Sequence, residues 1–220
     1  MTYRVKEVFY TLQGEGARAG RPAVFCRFSG CNLWTGRERH RAGAVCQFCD
    51  TDFVGTDGPG GGRFATAGEL ADAVAETWCG AAHPRARRYV VCTGGEPLLQ
   101  LDEPLVGALH GRGFEVAVET NGTRPLVPGL DWVCVSPKAG APFVVDRADE
   151  LKLIFPQEGL MPADVEARLG ASGAEAFGQW FLQPMDGPVL AEHTKAAVEY
   201  CLAHPQWRLS VQTHKFIGIP

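Results

Sequence analysis

Short apolar, β-branched runs alternate with alanine- and leucine-rich stretches along most of the chain. Val5–Thr11 and Ala23–Phe28 read as the first two strands. Tyr89–Thr93, Phe114–Glu119, Trp132–Val135, Leu151–Phe155, Trp180–Leu182 and Trp207–Gln212 read as later ones. Ala67–Trp78 repeats its apolar residues near the helical period behind Thr66, a good N-cap, and predicts a helix. Residues 101–111 and Val189–Ala203 predict two more. Such alternation implies a mostly parallel sheet, because parallel neighbours require a crossover connection. Polar or glycine-rich clusters follow the strands at Ser29, Thr93, Glu119, Ser136 and Gln183. Ligands of parallel α/β folds sit at the carboxyl ends of the strands, so these clusters converge on one large site. About six or seven parallel strands fall short of a closed eight-unit barrel, which takes about 250 residues. The expected fold class is α/β, a shortened and incomplete (β/α) barrel.

Composition narrows the function classes. The 220 residues are 45% hydrophobic, which suits one globular domain spanning 1–220 with a full core. Twenty-one basic against 25 acidic side chains leave a net charge of −4, no electrostatic footprint for nucleic acid, which is excluded as a partner. No apolar run approaches the roughly 20 residues of a membrane span. The charged start Met1-Thr-Tyr-Arg-Val-Lys-Glu7 is not a signal peptide, and a cytoplasmic location is expected. The eight cysteines are therefore read as metal-binding, catalytic or buried before being read as disulfides. Residues 35–45 form a basic, apolar-poor insertion, and Gly55–Gly62 is a glycine-rich surface loop.

Cys31, Cys46 and Cys49 form C-x14-C-x2-C directly after the strand Ala23–Phe28. Three neighbouring thiolates call for a soft metal. Zinc in a structural site wants a fourth protein ligand, and His40 lies between the cysteines. An iron–sulfur cluster on three cysteines instead leaves one iron open for a substrate or cofactor. The cysteines alone leave both readings standing. The remaining five, Cys26, Cys79, Cys92, Cys134 and Cys201, read as small buried hydrophobes.

The wider sequence decides between them. Phe9-Tyr-Thr-Leu-Gln-Gly-Glu-Gly16, Gly20-Arg-Pro-Ala-Val-Phe-Cys-Arg27, Gly30-Cys-Asn-Leu33, Cys46-Gln-Phe-Cys-Asp-Thr51 and Thr93-Gly-Gly-Glu-Pro97 resemble the radical S-adenosylmethionine (SAM) superfamily. Within it they resemble the 7-carboxy-7-deazaguanine synthase family of queuosine and 7-deazapurine biosynthesis. The likeness covers most of the chain and is most specific in its first hundred residues. One departure stands out: the superfamily spacing is C-x3-C-x2-C, and the first gap here is eleven residues longer. We read residues 35–45 as an insertion that leaves the ligands intact and makes His40 a surface histidine.

The resemblance implies a lyase on an incomplete radical SAM barrel. It would contract the ring of 6-carboxy-5,6,7,8-tetrahydropterin to 7-carboxy-7-deazaguanine, with loss of ammonia. Cys31, Cys46 and Cys49 would hold a [4Fe–4S] cluster whose open iron chelates SAM. One electron then yields a 5′-deoxyadenosyl radical that takes a hydrogen from the substrate, and the protein positions and shields. For SAM, the resemblance implies Phe48 beside the adenine, Gly94 and Gly95 at the amino group, and Ser136-Pro137-Lys138 at ribose or carboxylate. Gln183-Pro184-Met185-Asp186 would meet the adenine end through backbone. Read bare, the glycine pair is also a tight turn, and 183–186 also a plain loop.

A flat pterin carboxylate wants a cation for its acid and acceptors for its N–H edge. Arg27 is the cation, unless a structural ion pair holds it. Leu12, Gln13, Gly14 and Glu15 match the family's pterin-binding stretch, and Thr93 adds a hydroxyl. An apolar C-terminal tail avoids water, so residues 211–220 are expected to close the pocket with His214 and the terminal carboxylate of Pro220 inward. Thr51 would bind Mg²⁺ with substrate oxygens and water, or else Asp50 or Thr51 caps a helix. Glu119 is a further candidate for the pocket or for orienting magnesium-bound water. A homodimer follows from resemblance alone. Arg37, Arg39, His40 and Arg41 offer either a solvated face or a docking patch for an acidic electron donor such as flavodoxin. Two other readings remain: a glycyl-radical activating enzyme acting on a protein, and a zinc module built on Cys31, His40, Cys46 and Cys49.

Overall fold

Alternate residues of a strand face opposite sides of a sheet, and here the two sides carry different chemistry. The computed structural model describes residues 2–83 and 85–220. Its strands are β1 (Tyr3–Leu12), β2 (Pro22–Phe28), β3 (Gly62–Phe64), β4 (Arg88–Gly94), β5 (Phe114–Thr120), β6 (Trp132–Val135), β7 (Ala148–Phe155), β8 (Phe177–Pro184) and β9 (Trp207–Leu209). They form one sheet in the order β3-β1-β2-β4-β5-β6-β7-β8-β9. β1 runs antiparallel to both β2 and β3, and every pairing from β2 to β9 is parallel. β3 and β9 stand at opposite edges, so the sheet is open: the incomplete barrel expected from the sequence.

One face is dry. Val24, Cys26, Val90, Cys92, Val116 and Val118 pack beneath two helices, α1 (Ala67–Thr77) and α2 (Glu103–His110), which contribute Leu70, Val74, Leu105 and Leu109. A second cluster joins Val135, Leu151, Leu153 and Leu182 to Val165 of α3 (Pro162–Ala176) and Ala197 of α4 (Leu190–Ala203). The caps hold as the sequence predicts. Thr66 Oγ1 accepts from the Glu69 backbone N–H at 3.2 Å, and Glu69 reaches back to the Ala65 N–H at 2.7 Å.

The other face is mixed. At its amino-terminal half Ala23, Phe25, Tyr89, Val91 and Ala117 form a small apolar floor. Toward the carboxyl ends the same face carries Arg27, Thr93, Glu119, Cys134, Lys152 and Gln183, from β2, β4, β5, β6, β7 and β8. Register sets them side by side: Arg27 pairs with Thr93, and Glu119 with Cys134.

Four elements differ from expectation. Gly62–Phe64 leaves the glycine loop to pair with β1, Tyr3 opposite Phe64. α3 was not foreseen because its small-residue sequence carries little apolar periodicity, and Gly170 interrupts it at φ 61°. β9 stops at Leu209 rather than at Gln212, and Thr213–Ile217 forms a last short helix, α5. Of the five cysteines expected to be buried, Cys26, Cys92 and Cys134 are, whereas Cys201 is half-buried and Cys79, two residues past the end of α1, is exposed. Among the described residues, no helix is long and apolar enough to cross a membrane.

Candidate active site

The polar end of the inner face opens into a cavity of about 410 Å³. The loop after β2 brings Cys31, Cys46 and Cys49 to its rim, although eleven additional residues separate the first two. The insertion folds outward as a 3-10 turn at Glu38–Gly43. Arg41 clamps it by pairing with Glu38 at 2.8 Å, donating to the Gln47 carbonyl at 2.7 Å and the Cys49 carbonyl at 3.1 Å, and covering the Trp34 ring. His40 is exposed, with one ring nitrogen 2.9 Å from Thr35 Oγ1 and the other 3.2 Å from Arg39 Nε. Both ring nitrogens are thus engaged by neighbours other than the cysteines, as in a surface histidine.

Contact with Cys46 pulls the Cys49 thiol down to about 6, and the same contact with burial pushes Cys46 up. Among the described residues, no three His, Cys, Asp or Glu side chains converge tightly enough to hold a single ion. A tetrahedral zinc needs its ligands at 2.0–2.3 Å. A four-iron cluster spreads three thiolates over three separate irons, and that donor set fits Cys31, Cys46 and Cys49.

Gly94 and Gly95 end β4 beside these cysteines. A Cβ on Gly94 (φ 144°) would lie 2.3 Å from the Phe28 carbonyl, and one on Gly95 would lie 2.3 Å from the Gly30 carbonyl. The pair is glycine first because the cluster loop rests on it. Glu96 N–H donates to Gly30 O at 3.0 Å, while the buried Glu96 carboxylate takes Thr120 Oγ1 and the Asn121 N–H, both at 2.8 Å.

On the β1 side Arg27 lines the cavity and donates from Nε to Glu7 at 2.7 Å, the ion pair that the sequence left open for it, made through one edge of the guanidinium. Lys152 joins Glu15 at 2.5 Å and stands 3.7 Å from Glu119. Burial opposes ionisation of Glu15, but the Lys152 ammonium outweighs it and holds the carboxyl down at about 2. Lys152 is held above the ordinary lysine value: burial works against its charge, and Cys134 with Glu119, Glu15 and Glu150 overrides that. Lys138, hydrogen-bonded to Ser136 Oγ at 2.8 Å, is lowered by burial.

The C-terminal segment crosses the mouth. Thr213 donates twice to the Gly14 carbonyl, from N–H at 2.9 Å and from Oγ1 at 2.8 Å, and Thr11 Oγ1 reaches Pro220 O at 3.0 Å. Lys215 bridges Asp50 at 2.5 Å and Asp186 at 2.6 Å. His214 lies so close to Gly14 that any Cβ there would meet its ring. The segment closes the pocket by polar contacts, however, and not by burying its apolar residues: Phe216 is 95% exposed.

Every residue predicted for SAM, pterin or metal lines this cavity except Pro137. Pro137 is buried behind Ser136 and Lys138, where its carbonyl accepts from Gln157 at 3.4 Å. No helix begins at Asp50 or Thr51, which removes the N-cap reading. Sequence reasoning missed Glu7, Lys152, Gln212 and Lys215. Only Lys152 left a signal, a lone charge inside the run Leu151–Phe155.

An open parallel sheet that gathers three thiols, a strand-ending glycine pair and a polar cavity at its carboxyl edge defines the class, a radical SAM enzyme. No protein-family model matches the chain. It is 67% identical over 220 residues to the 7-carboxy-7-deazaguanine synthase of Bordetella pertussis, and 62% identical over 220 residues to that of Caulobacter vibrioides, each alignment covering 100% of both chains. The crystal structure of QueE from Escherichia coli superposes with a TM-score of 0.69 at 29% identity, over 97% of this chain and 95% of that one. The chain belongs to the 7-carboxy-7-deazaguanine synthase family. The zinc-module and glycyl-radical-activase readings fall with that finding, and a [4Fe–4S] cluster and SAM are its cofactors.

Proposed function

We propose that this cavity contracts 6-carboxy-5,6,7,8-tetrahydropterin to 7-carboxy-7-deazaguanine and releases ammonia. The observation that carries the assignment of roles is the inner-face row: a cation at Arg27 and carboxylates at Glu15 and Glu119 share one cavity with three cluster thiols. The free edge of the Arg27 guanidinium suits a carboxylate bidentately. Glu15, Glu119 and Gln13 offer acceptors to the N–H edge, with Leu12, Gly14 and Thr93 completing the contact. When bound, the cluster and SAM supply a 5′-deoxyadenosyl radical for hydrogen abstraction. Cys31, Cys46 and Cys49 ligate the cluster. Phe48, Gly94, Gly95, Ser136, Lys138 and the 183–186 loop surround SAM, Pro137 supporting its neighbours from behind. His214 and Pro220 shield the reacting ring from water.

Magnesium would sit at Thr51, where an oxygen donor faces the cavity beside Asp50. A homodimer is favoured by the unpaired edge of β9 and by exposed Leu209 on it and Leu202 on the neighbouring α4. An acidic one-electron donor of the flavodoxin kind would meet Arg37 and Arg39, both exposed beside the cluster loop.

The test is anaerobic turnover of iron- and sulfide-reconstituted protein with SAM, a reductant, Mg²⁺ and the pterin, read by mass spectrometry. Formation of 7-carboxy-7-deazaguanine is expected, with KM for the pterin raised at least tenfold in R27A. Formation of 5′-deoxyadenosine without that product would refute the substrate and keep the radical chemistry.

A further inference from the structure

We infer that Lys152 is a positioning residue for the pterin: as the shared counter-ion of Glu15 and Glu119 it aims both carboxylates, as hydrogen-bond acceptors, at the cavity. The inference rests on the proposed function, which makes those carboxylates substrate contacts. β7 turns Leu151, Leu153 and Phe155 to the core and Glu150 and Lys152 to the other face, both buried. A lysine inside a sheet is costly unless paired. The Lys152 side chain is 6% exposed and meets Glu15 Oε2 at 2.5 Å and Glu119 Oε1 at 3.7 Å.

The rest of the surroundings hold the same two groups. Gln212 Nε2 donates to Glu15 Oε1 at 2.9 Å, Gln13 Nε2 to Glu119 Oε1 at 2.9 Å, and Thr93 Oγ1 to Glu119 Oε2 at 3.3 Å. Each carboxylate oxygen has two lone pairs, so both carboxylates keep acceptor capacity toward the cavity. The groups facing the ammonium are Glu15 from the loop after β1, Glu119 from β5, Cys134 from β6, Glu150 from β7 itself and, as a like charge, Lys138 from the segment after β6.

Removal of the ammonium leaves Glu15, Glu119 and Glu150 clustered without their shared counter-ion, with Lys138 as the remaining buried cation within reach of that site. Like charges at such range do not all ionise. Burial already pushes up the carboxyl of Glu150, which lies outside the cavity. Glu15 and Glu119, which line the cavity, lose the cation that fixes them as acceptors. A proton taken up by either presents a donor where the pterin edge also presents donors. A lysine that served stability alone would change Tm and leave pterin recognition as it was.

The experiment compares wild type, K152M, K152R and K152M/E150Q, all reconstituted and loaded with SAM. Iron content, Tm, pterin Kd by fluorescence titration, and reductive SAM cleavage without pterin are measured beside turnover. K152M should keep its iron and its pterin-independent SAM cleavage, raise pterin Kd and KM by about 10–100-fold, and move the acidic limb of kcat/KM to higher pH. K152R should recover most of the affinity. If K152M does not fold, K152M/E150Q, which also removes one carboxylate charge outside the cavity, carries the same expected rise in Kd. Wild-type Kd and an unmoved acidic limb in the folded methionine variant overturn the inference. Wild type that binds the pterin without forming 7-carboxy-7-deazaguanine overturns the proposed function, and the Kd comparison still decides Lys152. Wild type that binds no pterin overturns both.

Discussion

Gly95 is confined by backbone, not by a flexible side chain: an added Cβ would lie 2.3 Å from Gly30 O and 2.7 Å from Cys31 Cβ. Neither neighbour yields without moving the first cluster ligand. G95A should therefore lose about 1–3 kcal/mol in denaturant unfolding and bind less iron per chain after reconstitution; a wild-type midpoint with full iron would refute this. Glu15 makes a pH prediction. Its folded value, about 2, lies below the ordinary 4.5 because Lys152 outweighs burial. A depressed carboxyl stabilises the fold above its unfolded value, and that stability disappears as pH falls through the folded one. Wild type should thus lose about 2 kcal/mol relative to E15Q between pH 5 and pH 2, measured as the difference in urea midpoints. Parallel acid titrations of the two proteins would show the pair contributes nothing. Glu15 was legible in the sequence through its motif, but its partner was not. A single lysine in an apolar run has no visible direction until the strand's face is known, and Glu119 looked peripheral for the same reason.

At the scale of elements, the chain's own periodicity predicted β2, β4, β5 and β6 to within a residue or so, because these central strands are buried on both faces. The edges were less legible. β3 is three residues that become a strand only against β1, and α5 is five residues held by the rest of the fold. A helix that short has no stability of its own, so no local signal could announce it. Its anchors are the two Thr213 bonds to Gly14 and the Lys215 bridge to Asp50 and Asp186. Lys215 is 38% exposed, and an ion pair at such a site contributes about 0–1 kcal/mol. K215A should consequently leave Tm within about two degrees of wild type while amide exchange in residues 212–220 quickens by about 2–5-fold. Unchanged exchange there would mean that Thr213 and the Pro220 contact hold the segment by themselves. A bulky C-terminal tag attacks the same element from its other end, since Pro220 O is bonded to Thr11 at 3.0 Å. It should raise pterin KM with little change in reductive SAM cleavage, and an unaffected KM would remove the tail from the pocket's closure.

The molecule as a whole carries a net charge of −4, yet its cluster sits beside a basic insertion, so the local field there opposes the global one. Sequence alone groups Arg37, Arg39 and Arg41 as one patch, but the fold divides them. Arg41 is half-buried between Glu38, two carbonyls and Trp34, and its removal would loosen the loop that carries Cys46 and Cys49. Arg37 and Arg39 are exposed, Arg39 touching, among the described residues, only its neighbour His40 through Nε. Charge reversal at all three would confound docking with cluster loss, whereas R37E/R39E addresses docking alone. Attraction between complementary surfaces acts mainly on encounter rate and weakens as salt shortens the Debye length from about 30 Å at 0.01 M to about 8 Å at 0.15 M. Turnover driven by reduced flavodoxin should then fall about tenfold in R37E/R39E at low ionic strength. The deficit should shrink as salt rises, and turnover driven by dithionite, a small reductant with no docking surface to align, should stay at the wild-type rate. Equal flavodoxin-driven rates at low salt would show that the patch is merely solvated. A loss shared by both reductants would instead place the defect in the cluster, which the iron content of the same preparation reports directly.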